Sequence, residues 1–402
     1  MSDSLFDQLR SQFQLPGDKI YLDGNSLGAL PAATPATLAN IVRKQWGTDL
    51  IASWNTHDWI DLPLFVGNQI AKVIGATENT VVCCDNLSIN LYKAILAALE
   101  LNPTRKVVCV EEQQFPSDNY IAAGVSQLLG EERCSITTLS IEGMTPQNLR
   151  GAAVLVLSHV DYKTGSLRNM AQITANAHAA GALVVWDLAH SAGVIDIDVT
   201  NSEIDFAVGC TYKFLNGGPG APGYLFVHPQ HQSASNPISG WMGHARLFDF
   251  EAKYEAAPGI KRFLTGTQSV LALSAVSASL SVFEGLTMQD VRARSLALTK
   301  HFITRWKQSS ILQSHAALVT PIDDAQRGSQ VSLALESAFA VSQALIADGV
   351  IVDFREPNIV RLGFSPLYNT FSDADQAISS LEAVLASERF RLPQFQIRST
   401  VT

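Results

Sequence analysis

The sequence predicts an α/β protein in which a large domain on a mostly parallel sheet is joined to a smaller α+β domain. Two observations carry this reading. Between about residues 80 and 230, short apolar β-branched runs alternate with stretches of helical periodicity, the pattern left by strands covered on both faces. After about residue 285 the alternation changes character, and helices and strands group differently. At 402 residues the chain is also longer than one hydrophobic core usually organises.

The first strands expected are Lys106 to Val110 and Ala153 to Leu157. Asn169 caps a helix from Met170 to about Ala180, stopped by Gly181, and a strand from Leu183 to Trp186 completes a βαβ unit ending at Asp187. Phe206 to Gly209 and Gly223 to Val227 are the next strands. Ser269 to Glu284 reads as one apolar helix, and Thr287 with Asp290 resembles a capping box opening another through about Lys307. Beyond it come a strand, Gln330 to Leu335, and a helix, Phe339 to Ala347. Two strands, Val350 to Phe354 and Ile359 to Phe364, then join at Glu356-Pro357-Asn358, before a final helix from about Ser372 to Glu388.

Composition narrows the function classes. With 47% apolar and 16% charged residues the chain is expected to fold, and its apolar runs are far shorter than the ~20 residues that cross a bilayer, so no membrane role is expected. The net charge of −9 and the lack of a basic tract argue against nucleic acid. Met1 to Leu15 lacks a basic segment followed by an apolar run, so no secretory signal is expected. Five cysteines without zinc-like pairing imply a reducing cytoplasm and no metal site, with Cys83, Cys109 and Cys210 as core residues of strands.

Ligands of open α/β sheets bind beyond the carboxyl ends of the strands, so the polar residues after each apolar run come first. Phe115-Pro116-Ser117-Asp118, Ser158-His159, Asp187-Leu188-Ala189-His190 and Thr211-Tyr212-Lys213 all qualify, the last followed by the glycine-rich Asn216 to Gly220. Singly, each has a plain explanation: an Asp after a strand caps or turns, a lysine is solvated, and glycines make a turn. Together they place a carboxylate, Asp187, and a lysine, Lys213, on one crevice. One chemistry that needs such a pair is that of pyridoxal phosphate, whose aldehyde bonds a lysine amine and whose ring nitrogen is kept protonated by an ionised Asp. Its phosphate needs backbone donors. Asp85-Asn86-Leu87-Ser88 precedes a helical run from Ile89 to Leu101, so the amides near Leu87 and Ser88 suit an anion, although an ordinary helix cap has the same sequence.

Tyr21-Leu22-Asp23-Gly24-Asn25-Ser26-Leu27-Gly28, Phe115-Pro116-Ser117-Asp118, Trp186-Asp187-Leu188-Ala189-His190 and Tyr212 to Gly220 together resemble the kynureninase family, from about Tyr21 to Tyr368. The resemblance implies pyridoxal phosphate fold type I, with a seven-stranded sheet between helices. It also implies a large domain over residues 47–284 and a small one combining residues 1–46 with 285–402. Kynureninases hydrolyse L-kynurenine, or its 3-hydroxy form, to anthranilate, or 3-hydroxyanthranilate, and L-alanine, a step of tryptophan catabolism. Which substrate is preferred, and whether the product serves NAD biosynthesis, no motif decides.

By the same resemblance Lys213 is the lysine that bonds the cofactor, Asp187 and Asp118 face its ring nitrogen, and Phe115 stacks on the ring. Leu87 and Ser88 bind the phosphate, helped by Tyr212 and Trp241; Ser117 is a further cofactor-binding residue, Ser158 and His190 add contacts, and Tyr212 relays protons. Arg361 holds the substrate carboxylate with two parallel donors, against the alternative of a surface ion pair. Asn25, Ser26 and His57 contact substrate, with a turn and an exposed loop as their plain readings. Thr267 reaches the cofactor or substrate across a homodimer with shared active sites, or else caps the following helix. Rival readings are a cysteine desulfurase-like lyase, which would need a late loop cysteine where the last here is Cys210, and a non-catalytic cofactor binder.

Overall fold

The computed structural model describes residues 3–398. Residues 1–2 and 399–402, the ends of the expected small domain and the start of the stretch read for a signal, lie outside the described residues. Seven strands form one sheet in the order Val81–Cys83, Gly223–Val227, Phe206–Cys210, Leu183–Asp187, Ala152–Ser158, Val107–Glu111, Ser135–Leu139. Gly223–Val227 runs antiparallel to both neighbours, and the other adjacent pairs are parallel.

The strands are apolar at consecutive positions because successive side chains enter opposite cores. Leu155 and Leu157 point into one cluster with Trp186 and Tyr224; Val154 and Val156 point into another with Val108 and Val208. Two strands of this sheet had not been delimited from sequence. Val81–Cys83 has only three residues, and the edge strand Ser135–Leu139 is half-exposed and rich in Ser and Thr.

A third core gathers Leu298, Phe302, Val331, Val341, Val360 and Leu381 around an antiparallel sheet ordered Ala317–Leu318, Gln330–Ala334, Ile359–Gly363, Asp353–Arg355. Leu22 is buried in this same core, so the opening motif packs with the late part of the chain. The strand expected over Val350 to Phe354 is in fact two. Val350–Ile351 pairs in parallel with Ile20–Tyr21, and after the buried Val352 the chain turns to pair Asp353–Arg355 with Ile359–Gly363, so one segment serves two sheets. The apolar helix expected to Glu284 is α-helical over Val270–Leu280 and tightens to a 3₁₀ turn at Ser281–Phe283, where the Ser281 hydroxyl donates back to the Ala278 carbonyl. No single helix among the described residues is long and apolar enough to cross a membrane.

Candidate active site

The chemically active side chains collect where the parallel strands end, as open sheets dictate. Ser158 and Asp187 are the last residues of neighbouring strands and lie in register with one another. Lys213 follows the next strand, after Cys210 and two further residues. Asp118 sits in the first turn of the helix Pro116–Leu129, with Phe115 at its cap position.

Lys213 Nζ lies 2.8 Å from His190 Nε2, 5.9 Å from the centre of the Phe115 ring and 6.0 Å from that of Tyr212. Burial, then the charges of Lys213, Arg361 and Arg355, push His190 well below its ordinary range, so its imidazole is neutral and its Nε2 can accept a hydrogen bond from the lysine amine. Burial first and the neighbouring Asp187 charge second push Asp118 well above the usual carboxylate range. Asp187 is raised by burial too, against the pull of Lys213 and the Ala189 amide, which donates to it at 2.8 Å.

The Lys213 turn is held by the opening motif. The Gly28 amide donates to the Tyr212 carbonyl at 2.7 Å, and a Cβ on Gly28 would collide with the Lys213 carbonyl and the Asn216 side chain, so only glycine permits this approach.

Both Asp118 oxygens, Ser158 Oγ and His190 Nδ1 are buried without a hydrogen-bond partner. Buried polar atoms are almost always satisfied, so four orphans around one lysine mark a place for a polar ring. Burial disfavours the charge on Asp118 and Asp187, and a cationic ring nitrogen beside them would stabilise their ionised form. The anion end fits as well. Asn86 caps the helix Leu87–Leu101 by accepting from the Ile89 amide at 3.0 Å, and Ser88 Oγ lies 3.3 Å from Ser117 Oγ. Two helix N-termini therefore meet, each with a hydroxyl in its first turn, an arrangement that favours negative charge. These residues fit pyridoxal phosphate.

The antiparallel sheet carries further polar residues. Arg361 is 1% exposed, which excludes the surface ion pair. Its Nε donates to Asp353 Oδ1 at 2.7 Å and its Nη2 to Asp353 Oδ2; Nη2 also reaches Ser26 Oγ at 3.1 Å, and Nη1 donates to the Tyr162 carbonyl at 2.5 Å. Four of its five N–H groups thus have partners. The fork expected to grip a substrate carboxylate is engaged on Asp353, its cross-strand neighbour, which leaves one Nη1 N–H. Ser26 donates to Asp353 Oδ2 at 2.5 Å, and Arg355 Nη2 lies 2.9 Å from the same oxygen. Asn25 is buried and donates to Gln330 Oε1 at 3.4 Å, with its own oxygen unpartnered. Burial and the Asp353 charge push Asp23 up to about 7. An opening of about 580 Å³ is lined by Phe115, Tyr120 and Tyr162 together with Phe354 and Arg355 of the antiparallel sheet.

Asp353, Arg355, Asp23 and Tyr162 were not singled out from sequence. A signal for Asp353 existed: strands joined at residues 356–358 pair 355 with 359, and hence 353 with 361. Three expected residues stand apart. His57 Nε2 pairs with Asp49 Oδ2 at 2.8 Å, and Trp241 Nε1 donates to Thr267 Oγ1 at 3.2 Å. Among the described residues, no hydrogen bond or ring contact joins any of them to the Lys213 cluster. Thr267 is not the helix cap either, since Ser269 accepts from the Ala272 amide.

A family model described as the kynureninase C-terminal domain matches residues 291–381. Kynureninase of Pseudomonas fluorescens is 44% identical over 400 residues, covering 98% of this chain and 96% of its own length. That of Burkholderia mallei is 43% identical over 405 residues with the same coverage. Among solved structures, an apo cysteine desulfurase from Thermococcus onnurineus matches with a TM-score of 0.78 at 18% identity, over 95% of this chain and 98% of that one. A C-DES variant with glycine covalently linked to its pyridoxal phosphate cofactor matches at 0.79 and 17%, over 93% and 98%. These structural matches speak for the fold.

Proposed function

The chain belongs to the kynureninase family, and from that premise we propose how its own residues carry out the hydrolysis of kynurenine to an anthranilate and alanine. The enzyme depends on pyridoxal phosphate, and its substrate is a small molecule. The observation that supports the residue assignment most is the set of four orphaned polar atoms around Lys213.

Lys213 would bond the cofactor, Asp187 and Asp118 would serve its ring nitrogen, and the paired helix starts at Leu87, Ser88 and Ser117 would hold its phosphate. Phe115 would pack over the ring, and Ser158 and His190 would supply polar contacts to it. When bound, the cofactor supplies an electron sink that makes the substrate Cα proton removable and the Cβ–Cγ bond breakable. Lys213 is placed to accept the substrate Cα proton, and neutral His190 at 2.8 Å can hold the amine in line without adding charge. Proximity to Cys210, then burial, raises the Tyr212 hydroxyl, so it keeps its proton at neutral pH and can donate it. The substrate carboxylate binds the end of Arg361 not held by Asp353, beside Ser26 and Asn25.

The large and small domains divide at 47–284 against 1–46 with 285–402. Trp241, Thr267 and His57 serve the second site of a homodimer, which accounts for their standing apart within one chain. Five free, buried cysteines suit a cytoplasmic enzyme.

Release of fluorescent anthranilate from kynurenine tests the assignment. Lys213→Ala is expected to cut turnover by ~10³-fold or more, whereas unchanged turnover would remove Lys213 from the mechanism. Sedimentation of only a single-chain species at micromolar concentration would refute shared sites.

A further inference from the structure

Lys93 is an ammonium with no access to solvent, inside the helix that opens the phosphate cradle. It donates to Asp85 Oδ2 and, at 2.7 Å, to the Phe263 carbonyl. Asp85 directly precedes the Asn86 cap. It adopts a left-handed φ of 47°, which a residue with a Cβ takes only where its surroundings hold it.

Those surroundings can be named. The Asp85 amide donates to Gln268 Oε1 at 3.2 Å, its carbonyl accepts from the Gly223 amide at 3.0 Å, and its Oδ1 accepts from Thr265 Oγ1 at 3.2 Å. Asp85 therefore pins two chain segments, at Gly223 and at Thr265 to Gln268, against the start of the helix. An acidic side chain two residues before Leu87 is nonetheless a poor neighbour for a phosphate dianion. Like charges so placed repel strongly in a partly buried setting, and a buried lysine without a counter-charge would be as unfavourable. Each charge makes sense only with the other.

We propose that Lys93 is a positioning residue for cofactor binding: by neutralising Asp85 and tying it to the Phe263 carbonyl, it lets an acidic residue shape the phosphate cradle without repelling the phosphate. This rests on the reading of Leu87 and Ser88 as the phosphate end. Lys93 touches neither cofactor nor substrate; it acts through Asp85.

The test uses apo enzyme titrated with pyridoxal phosphate and, separately, with pyridoxal, following absorbance. Lys93→Met is expected to weaken pyridoxal phosphate binding by roughly 30-fold or more and pyridoxal by less than about threefold, because only the former brings a dianion to Asp85. The double variant Asp85→Asn with Lys93→Met is expected to return to within about fivefold of wild type. Equal losses for both ligands, or a double variant as weak as Lys93→Met, would overturn the proposal. If Lys93→Met does not fold, the double variant decides alone: binding within fivefold supports the proposal and a 30-fold loss overturns it. Wild-type enzyme that binds both ligands equally would instead overturn the placement of the phosphate, a result separable from the other two.

Discussion

The two walls of the active site differ in how their polar groups are satisfied. On the large-domain side, Asp118, Ser158 and His190 hold buried atoms without partners. On the small-domain side, Arg361 has given four of its five N–H groups to Asp353, Ser26 and the Tyr162 carbonyl. The first wall leaves several buried polar atoms unpartnered; the second is nearly satisfied, with one Arg361 N–H and the Asn25 oxygen left open. Unsatisfied buried groups cost about 1–3 kcal/mol each, so the first wall favours tight retention of its ligand. The second favours a binding step that can be reversed at every turnover.

Substitutions on each wall should separate these roles. The largest effect is expected for Asp187→Ala, with turnover falling on the order of 10³-fold and apo-enzyme titration showing weaker cofactor binding. Normal turnover would mean that burial of Asp187 serves packing alone. Arg361→Lys should raise KM for kynurenine roughly 10- to 100-fold with a smaller change in kcat, since lysine cannot keep both the two-point contact with Asp353 and a donor for substrate. A fall in kcat at constant KM would place Arg361 in the chemistry instead.

The smallest effect lies away from both walls, where buried Asp205 is held by His178 at 2.8 Å and His231 at 2.7 Å. The Asp205 bond raises the His178 pKa. A histidine raised on folding stabilises fully below its unfolded value of about 6.5 and loses that contribution as pH rises through its folded value. His178→Ala should therefore lower Tm at pH 6 by about 2 °C or less, given its partial exposure, and by still less at pH 9. A larger deficit at pH 9 would contradict the assignment.

The sequence was most legible where a residue's environment is local. Helix Met170–Ala180 announces itself through Asn169 and Gly181, which are its cap and its left-handed stop. Lys213, Asp187 and Asp118 were legible because strand ends carry the ligands of open sheets. Legibility faded where a partner comes from afar or from one strand over. Arg361 was read as an open fork because Asp353 faces it only through hairpin register, and Asp85 was read only as part of a helix start because its Lys93 lies two helical turns on. The break at Val352 was hidden because its second partner, Ile20–Tyr21, is more than three hundred positions earlier.

That early partner bears on the order in which the enzyme takes shape. Residues 20 to 28 leave the ribosome long before those they bind: the Ile20 amide donates to the Gly349 carbonyl, the Gly363 amide to the Leu22 carbonyl, and Gly28 closes over the Lys213 turn. Contacts of such sequence separation form late and slow folding. The strand Ile20–Tyr21 must therefore wait unpaired while the large sheet assembles behind it. The lysine turn receives its cover only once the chain has been made past residue 363.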